Sequence, residues 1–121
     1  GPGYGSFALS SRELWDGGSS RLYRLQLGDH LTSNEAEYDT LIRALETLLA
    51  ELRRLGHDLQ SVALEVRGDS TLVIRQVRCE WRVKAPQLRP RWERVRQLLA
   101  RFGHVCVEHQ PRAETVAILG H

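Results

Sequence analysis

The stretch from Ser61 to Gln76, SVALEVRGDSTLVIRQ, constrains the fold more than any other, because its hydrophobic period changes partway along it. Val62, Leu64 and Val66 alternate with Ala63, Glu65 and Arg67 in the two-residue period of a strand. Gly68 then breaks the run, and Asp69-Ser70 opens a helical one. A strand feeding a helix in this way is a unit of an α/β sheet. It sets the Asp69 carboxylate at a strand's carboxyl end, the edge of such sheets where ligands and metals collect, because the next helix presents unsatisfied N–H groups there. Taken alone, an aspartate before an apolar run reads as a helix N-cap, so a second reason is needed to make it chemical.

The remaining pattern supplies the other elements. Tyr4 to Ser10 alternates, Asp16-Gly17-Gly18 reads as a turn, and Arg21 to Leu27 alternates again, which predicts an antiparallel hairpin. From Thr32 to Gly56 the apolar residues Ala36, Leu41, Ala44, Leu45, Leu48, Leu49 and Leu52 recur at three- and four-residue steps, predicting a long amphipathic helix. Thr32, Ser33 and Asn34 are its cap candidates, and Glu35 and Glu37 suit the positive end of its dipole. Glu37 also borders the apolar stripe, from where it could point into a cleft. After Asp69 the pattern predicts a short helix, Thr71 to about Val77, and a polar connection from Cys79 to Ala85. Leu88, Trp92, Val95, Leu98, Leu99 and Phe102 then form the face of a second long helix, with a last strand from His104 to His109. The order is ββαβααβ, an α/β fold.

The chain has 121 residues, which predicts a single domain with a real core. No apolar run approaches the ~20 residues of a spanning helix and no signal-like start is present, so the expectation is a soluble, cytoplasmic protein with no membrane partner. Cys79 and Cys106 lack disulfide or zinc spacing and are read as reduced thiols. The net charge is +2, from 17 Lys and Arg against 15 Asp and Glu, but it is segregated. Residues 67–101 hold ten basic groups against Asp69, Glu80 and Glu93, a balance of +7, leaving 7 basic against 12 acidic, −5, elsewhere. Arginine forks match phosphate oxygens, so this segment suits a polyanion; a solvated arginine-rich helix face is the plainer alternative.

The run Thr32-Ser33-Asn34-Glu35-Ala36-Glu37-Tyr38, followed by a leucine-rich helix and by Val66-Arg67-Gly68-Asp69-Ser70, resembles ribonuclease H type 1. Gly1-Pro2-Gly3-Tyr4-Gly5-Ser6 is similar to the turn into that family's second strand. Glu80-Trp81-Arg82-Val83-Lys84 with Leu88-Arg89-Pro90, and Val107-Glu108-His109-Gln110-Pro111-Arg112, resemble its bacterial and archaeal-like branch. The resemblance implies a ribonuclease H-like mixed sheet flanked by helices and metal-dependent endonucleolytic cleavage of RNA in RNA-DNA hybrids. It implies Mg2+ or Mn2+ as cofactor and an RNA-DNA hybrid or other nucleic acid duplex as partner. On that basis Glu37 and Asp69 are the catalytic and metal-binding carboxylates. Thr32, Ser33, Asn34, Ser70, Thr71, Trp81, Arg82, Lys84 and Arg89 are the nucleic-acid-binding residues, with Ser33 where a second Asn is usual and Thr71 where Gln is common.

Two features depart from the family pattern. Its first, central strand, which carries an aspartate, would precede Gly1, and Leu119 stands where its last aspartate is expected, with Glu114 the nearest carboxylate. The expectation is therefore a domain incomplete at its N-terminus, with two of four metal ligands and impaired turnover alone. A partner chain or dimer would complete the sheet. The alternative is a catalytically inactive nucleic-acid-binding module of the same fold.

Overall fold

The computed structural model describes residues 4–10, 20–26 and 33–110, with side chains from 7–10 and 33–110. Its elements are the strands β1 (Tyr4–Ser10) and β2 (Ser20–Gln26), the helix α1 (Ser33–Arg54) and the strand β3 (Ala63–Gly68). The helices α2 (Thr71–Val77) and α3 (Arg89–Leu99) and the strand β4 (His104–His109) follow. The predicted order is observed. The hairpin's turn, the cap candidate Thr32 and the segment from Pro111 onward lie outside the described residues.

The strands form one mixed sheet in the order β2-β1-β3-β4. β1 is antiparallel to β2, Phe7 facing Tyr23 in register, and β3 is parallel to β4, with Val66 opposite Val107. β1 also pairs directly with β3, antiparallel, through Phe7–Gly68, Ala8–Arg67, Leu9–Val66 and Ser10–Glu65. The position beside β3 that the resemblance reserves for a missing central strand is thus taken by the hairpin itself. The described sheet has no gap for a donated strand.

The two faces of the sheet follow from side-chain alternation. Phe7, Leu9, Leu64 and Val66 point to one face and are buried beneath the helices, while Glu65, Arg67, Cys106 and Glu108 occupy the other. α1 lays Leu41, Leu45, Leu48 and Leu52, each fully buried, against that apolar face, and Val95, Leu98 and Leu99 of α3 join the same core. Burying a leucine stabilises by roughly 1.5–3 kcal/mol, so the stripe on α1 is the main fastening of helix to sheet. Gly68 is required by this packing: a Cβ there would lie 2.6 Å from the Phe7 ring.

Both α1 and α2 end on the same hydrogen-bonded device. At the end of α1, His57 N–H donates to Leu52 O and Gly56 N–H to Arg53 O, with Gly56 at φ +78°. At the end of α2, Glu80 N–H donates to Arg75 O and Cys79 N–H to Gln76 O, but the left-handed residue is Cys79, at φ +65°. A non-glycine residue there costs roughly 1–2 kcal/mol, partly offset by the smaller conformational entropy it loses on folding. Cys79→Gly is therefore expected to raise stability by about 0.5–1 kcal/mol, measured by urea denaturation, whereas Gly56→Ala should lower it.

Candidate nucleic-acid interface and carboxylate site

Asp69 follows the last residue of β3 and is half-buried. The N-cap of α2 is its neighbour Ser70, whose hydroxyl accepts from Val73 N–H at 3.3 Å, so capping does not account for Asp69. Thr71 is exposed on the first turn, and its Oγ1 shares a hydrogen bond of 3.2 Å with His109 Nε2. His109 ends β4 opposite Gly68, so strand pairing carries an imidazole to the edge where Asp69 stands. In the sequence His109 is a strand end within the run that resembles the family's last strand, without a site role, because parallel pairing between segments about forty residues apart leaves no local signal.

Glu37 lies in the opening turns of α1, half-buried between the fully buried Ala36 and Tyr38. Ser33 is exposed and Asn34 half-buried at the start of the helix. Tyr38, the next residue after Glu37, donates its hydroxyl to Gln76 Oε1 at 2.7 Å, which ties the carboxylate-bearing turn of α1 to α2. Burial pushes the Tyr38 phenol well above its usual range, so it stays protonated and acts as the donor. The chemistry of Glu37 and Asp69 suits a hard cation such as magnesium, which takes carboxylate oxygens and keeps waters. Among the described residues no three His, Cys, Asp or Glu side chains group as a metal set.

The basic segment divides into two parts. Most of its arginines act internally: Arg91 clasps Asp39 with two bonds, Nε to Oδ1 at 2.9 Å and Nη2 to Oδ2 at 3.3 Å, and also reaches Glu35 at 3.7 Å. Arg94 pairs with Glu46 at 3.0 Å, and Arg78 and Arg96 donate to the carbonyls of Val107 and Val77. The arginines of α3 are mostly exposed, as in the plainer alternative of a solvated face, and two of them, Arg91 and Arg94, also tie α3 to the acidic side of α1. Glu35 serves as much in this contact as in the helix dipole.

The second part is the connection after α2. Glu80 is held by Arg75 and by Arg78, the latter at 2.6 Å, and hydrogen bonds from these two guanidinium groups hold its carboxyl below the usual carboxylate range. Trp81 is 48% exposed rather than packed in the core, with the Arg75 guanidinium 6.0 Å from its ring centroid. Trp81, Arg82, Arg89 and Trp92 line a groove of about 420 Å³, where Arg89 lies 4.9 Å from the Trp92 ring centroid. Exposed aromatic rings beside guanidinium groups are what base stacking and phosphate contact require. Lys84 is exposed in the same connection, outside the groove lining. Neither Arg82 nor Lys84 has an ion-pair partner among the described residues.

Comparison with known proteins agrees with this architecture. A family model described as reverse transcriptase-like matches residues 15–117. The chain is 40% identical over 82 residues to the ribonuclease HI of Halobacterium salinarum, an alignment covering 68% of this chain and 37% of that protein. It therefore spans well under half the length of that curated relative. The crystal structure of ribonuclease H1 from the halophilic archaeon Halobacterium salinarum NRC-1 superposes with a TM-score of 0.67 at 31% identity, covering 94% of this chain and 88% of that one. LC11-RNase H1, solved in complex with an RNA/DNA hybrid, gives 0.65 at 30% identity over 80% of this chain and 67% of that one. The mixed sheet with its helices is thus a ribonuclease H-like α/β fold. Within that class the chain belongs to the ribonuclease H type 1 family.

The ion pairs make a prediction about the scaffold. The two-bonded, part-buried Arg91–Asp39 pair should be worth about 1–2 kcal/mol, more than the exposed Arg94–Glu46 pair at about 0–1 kcal/mol. Arg91→Ala should accordingly lower the denaturation midpoint clearly more than Arg94→Ala does, and high salt should remove the effect of Arg94→Ala before that of Arg91→Ala.

Proposed function

We propose that the chain is a ribonuclease H-type protein that binds RNA-DNA hybrids through the groove after α2 and cleaves RNA weakly on its own. The observation that carries the reading is the groove itself, where Trp81, Arg82 and Arg89 meet beside a connection that also exposes Lys84. Its rings offer stacking surface and its cations offer phosphate contacts, while Glu80 is already neutralised by Arg75 and Arg78. Ser33, Asn34 and Thr71, exposed or half-buried at the starts of α1 and α2, would contact the hybrid nearer the carboxylates, while the buried Ser70 holds the start of α2 as its N-cap.

In this reading Glu37 and Asp69 hold the divalent metal, Mg2+ or Mn2+, whose contribution when bound is to activate water and stabilise the leaving oxygen. The chain's own residues bind the duplex and orient it. Two carboxylates offset the charge of closely spaced cations less well than four, so Glu37 and Asp69 by themselves support only weak turnover. A cytoplasmic location accords with this function. The second reading, a binding module without turnover, rests on the partial donor set among the described residues.

Two measurements test the proposal. On an RNA-DNA hybrid in magnesium or manganese the chain should cleave several orders of magnitude more slowly than a ribonuclease H with a complete site, and Asp69→Asn should remove what remains. Robust cleavage would refute the impaired site; residual cleavage indifferent to Asp69→Asn would refute the assignment of that carboxylate. Binding should weaken with salt, at about −0.9 in log K per log salt for each phosphate contact on B-form duplex. Replacing Arg82 and Lys84 by alanine should lower affinity and flatten that dependence, and an unchanged slope would exclude the groove.

A further inference from the structure

Gln76 is a polar residue placed within an apolar core. It is 4% exposed, on α2 between the buried Ile74 and Val77, and all of its polar side-chain atoms are engaged. Oε1 accepts from the Tyr38 hydroxyl at 2.7 Å, and Nε2 donates to the Arg82 carbonyl at 3.2 Å. The orientation of the amide is fixed by chemistry, because a carbonyl can only accept, so the NH2 group must face Arg82 and the oxygen must face Tyr38. The backbone carbonyl of the same residue accepts from Trp92 Nε1 at 2.9 Å and from Cys79 N–H at 2.9 Å. One residue therefore touches α1 next to Glu37, the connection bearing Trp81 and Arg82, and the ring of α3 over which Arg89 lies.

A buried glutamine in this place is costly unless it does something an apolar residue could not. Removing both partners of a buried hydrogen bond together can be nearly neutral for stability, so stability alone gives little reason for the pair. What the amide supplies is direction, because it fixes the main chain of the connection at Arg82 relative to α1. The connection has few other ties to the helices: Glu80 and Trp81 N–H both donate to Arg75 O, and Glu80 is held by two arginines. All of those hydrogen bonds lie before Arg82, and beyond it the connection is held by apolar packing of Val83 and Ala85 against the core.

We propose that Gln76 is a positioning residue which, through Tyr38 and the Arg82 carbonyl, holds the groove in register with the carboxylate-bearing start of α1. A hybrid lying in the groove is thereby presented to Glu37 and Asp69 at a set distance. This rests on the binding function proposed above for the groove. The amide does not touch the substrate; it orders the segment that does.

The test uses the full chain, with Gln76→Leu and the double variant Tyr38→Phe/Gln76→Leu, which leaves no orphaned hydroxyl in the core and frees only the carbonyl of the exposed Arg82. In ligand-free protein, amide hydrogen exchange at Glu80 and Trp81 should accelerate roughly tenfold in both variants, while the amides of α1 and β3 keep their protection. In hybrid binding, both variants should lose about three- to tenfold in affinity, the equivalent of having to order one or two further side chains on binding. The salt dependence should flatten, and Arg82→Ala should cost less in the double variant than in the parent chain. Unchanged exchange at Glu80 and Trp81, equal acceleration throughout the molecule, or faster exchange with unaltered binding would each overturn the proposal. If the parent chain itself bound no hybrid, the binding function would fall, and the exchange measurement would still decide whether Gln76 orders the connection.

Discussion

The burial of one leucine stripe on α1 against Phe7, Leu9, Leu64 and Val66 is the contact on which the other features depend. It fixes the helix over the sheet and so fixes where the first turns of α1, with Glu37, stand relative to the end of β3, with Asp69. Each remaining tie refines that placement. Arg91 and Arg94 bind α3 to the acidic flank of α1, and Tyr38 binds the same helix to α2. The apolar contact sets the arrangement, and the polar contacts select the alignment within it.

The division of the basic residues changes what their number implies. A surplus of arginines over residues 67–101 looks like one polyanion-binding surface, yet Arg78, Arg91, Arg94 and Arg96 each have protein partners. Those groups contribute to the field around the molecule, but their forks are engaged by carboxylates and carbonyls of the protein. The groups left for a ligand, Arg82 and Lys84, lie in the short connection after α2 beside Trp81, while Arg89 at the start of α3 is shared with Glu93 at 3.1 Å. Charge counting therefore finds the right region and overstates its area.

Much of the fold was legible because its signals are local. The limits of β1, α2 and β4 coincide with those read from periodicity, and β2 differs by one residue, Ser20–Gln26 against Arg21–Leu27. α1 stops at Arg54 rather than Gly56 because Gly56 is the left-handed residue that closes the helix. α3 stops at Leu99, short of the apolar Phe102, as the chain tightens into bonds from Arg101 N–H to Leu98 O and from Phe102 N–H to Leu99 O. Long-range choices were not legible. Nothing local states that β1 pairs with β3, that Arg91 takes Asp39, or that Gln76 faces Tyr38 and Arg82. At the carboxylate site the residue types and their element ends could be read, whereas the arrival of His109 at the same edge required the β3–β4 pairing.

That pairing has a consequence for how the chain can change. Everything from Asp69 to Gly103, including α2, α3 and the groove, is an excursion whose ends are brought together by Ala63–His104 and Gly68–His109 and by the bond from Gly103 N–H to Leu59 O. Gly103 allows the close return, since a Cβ there would meet the Gln60 carbonyl oxygen at 1.7 Å. The entropy of closing such an excursion grows only logarithmically, by about 0.6 kcal/mol for each doubling of its length. The connection between α2 and α3 can therefore lengthen, shorten or exchange its charges at little cost to the sheet, so that substrate preference can drift while the frame carrying the carboxylates stays put.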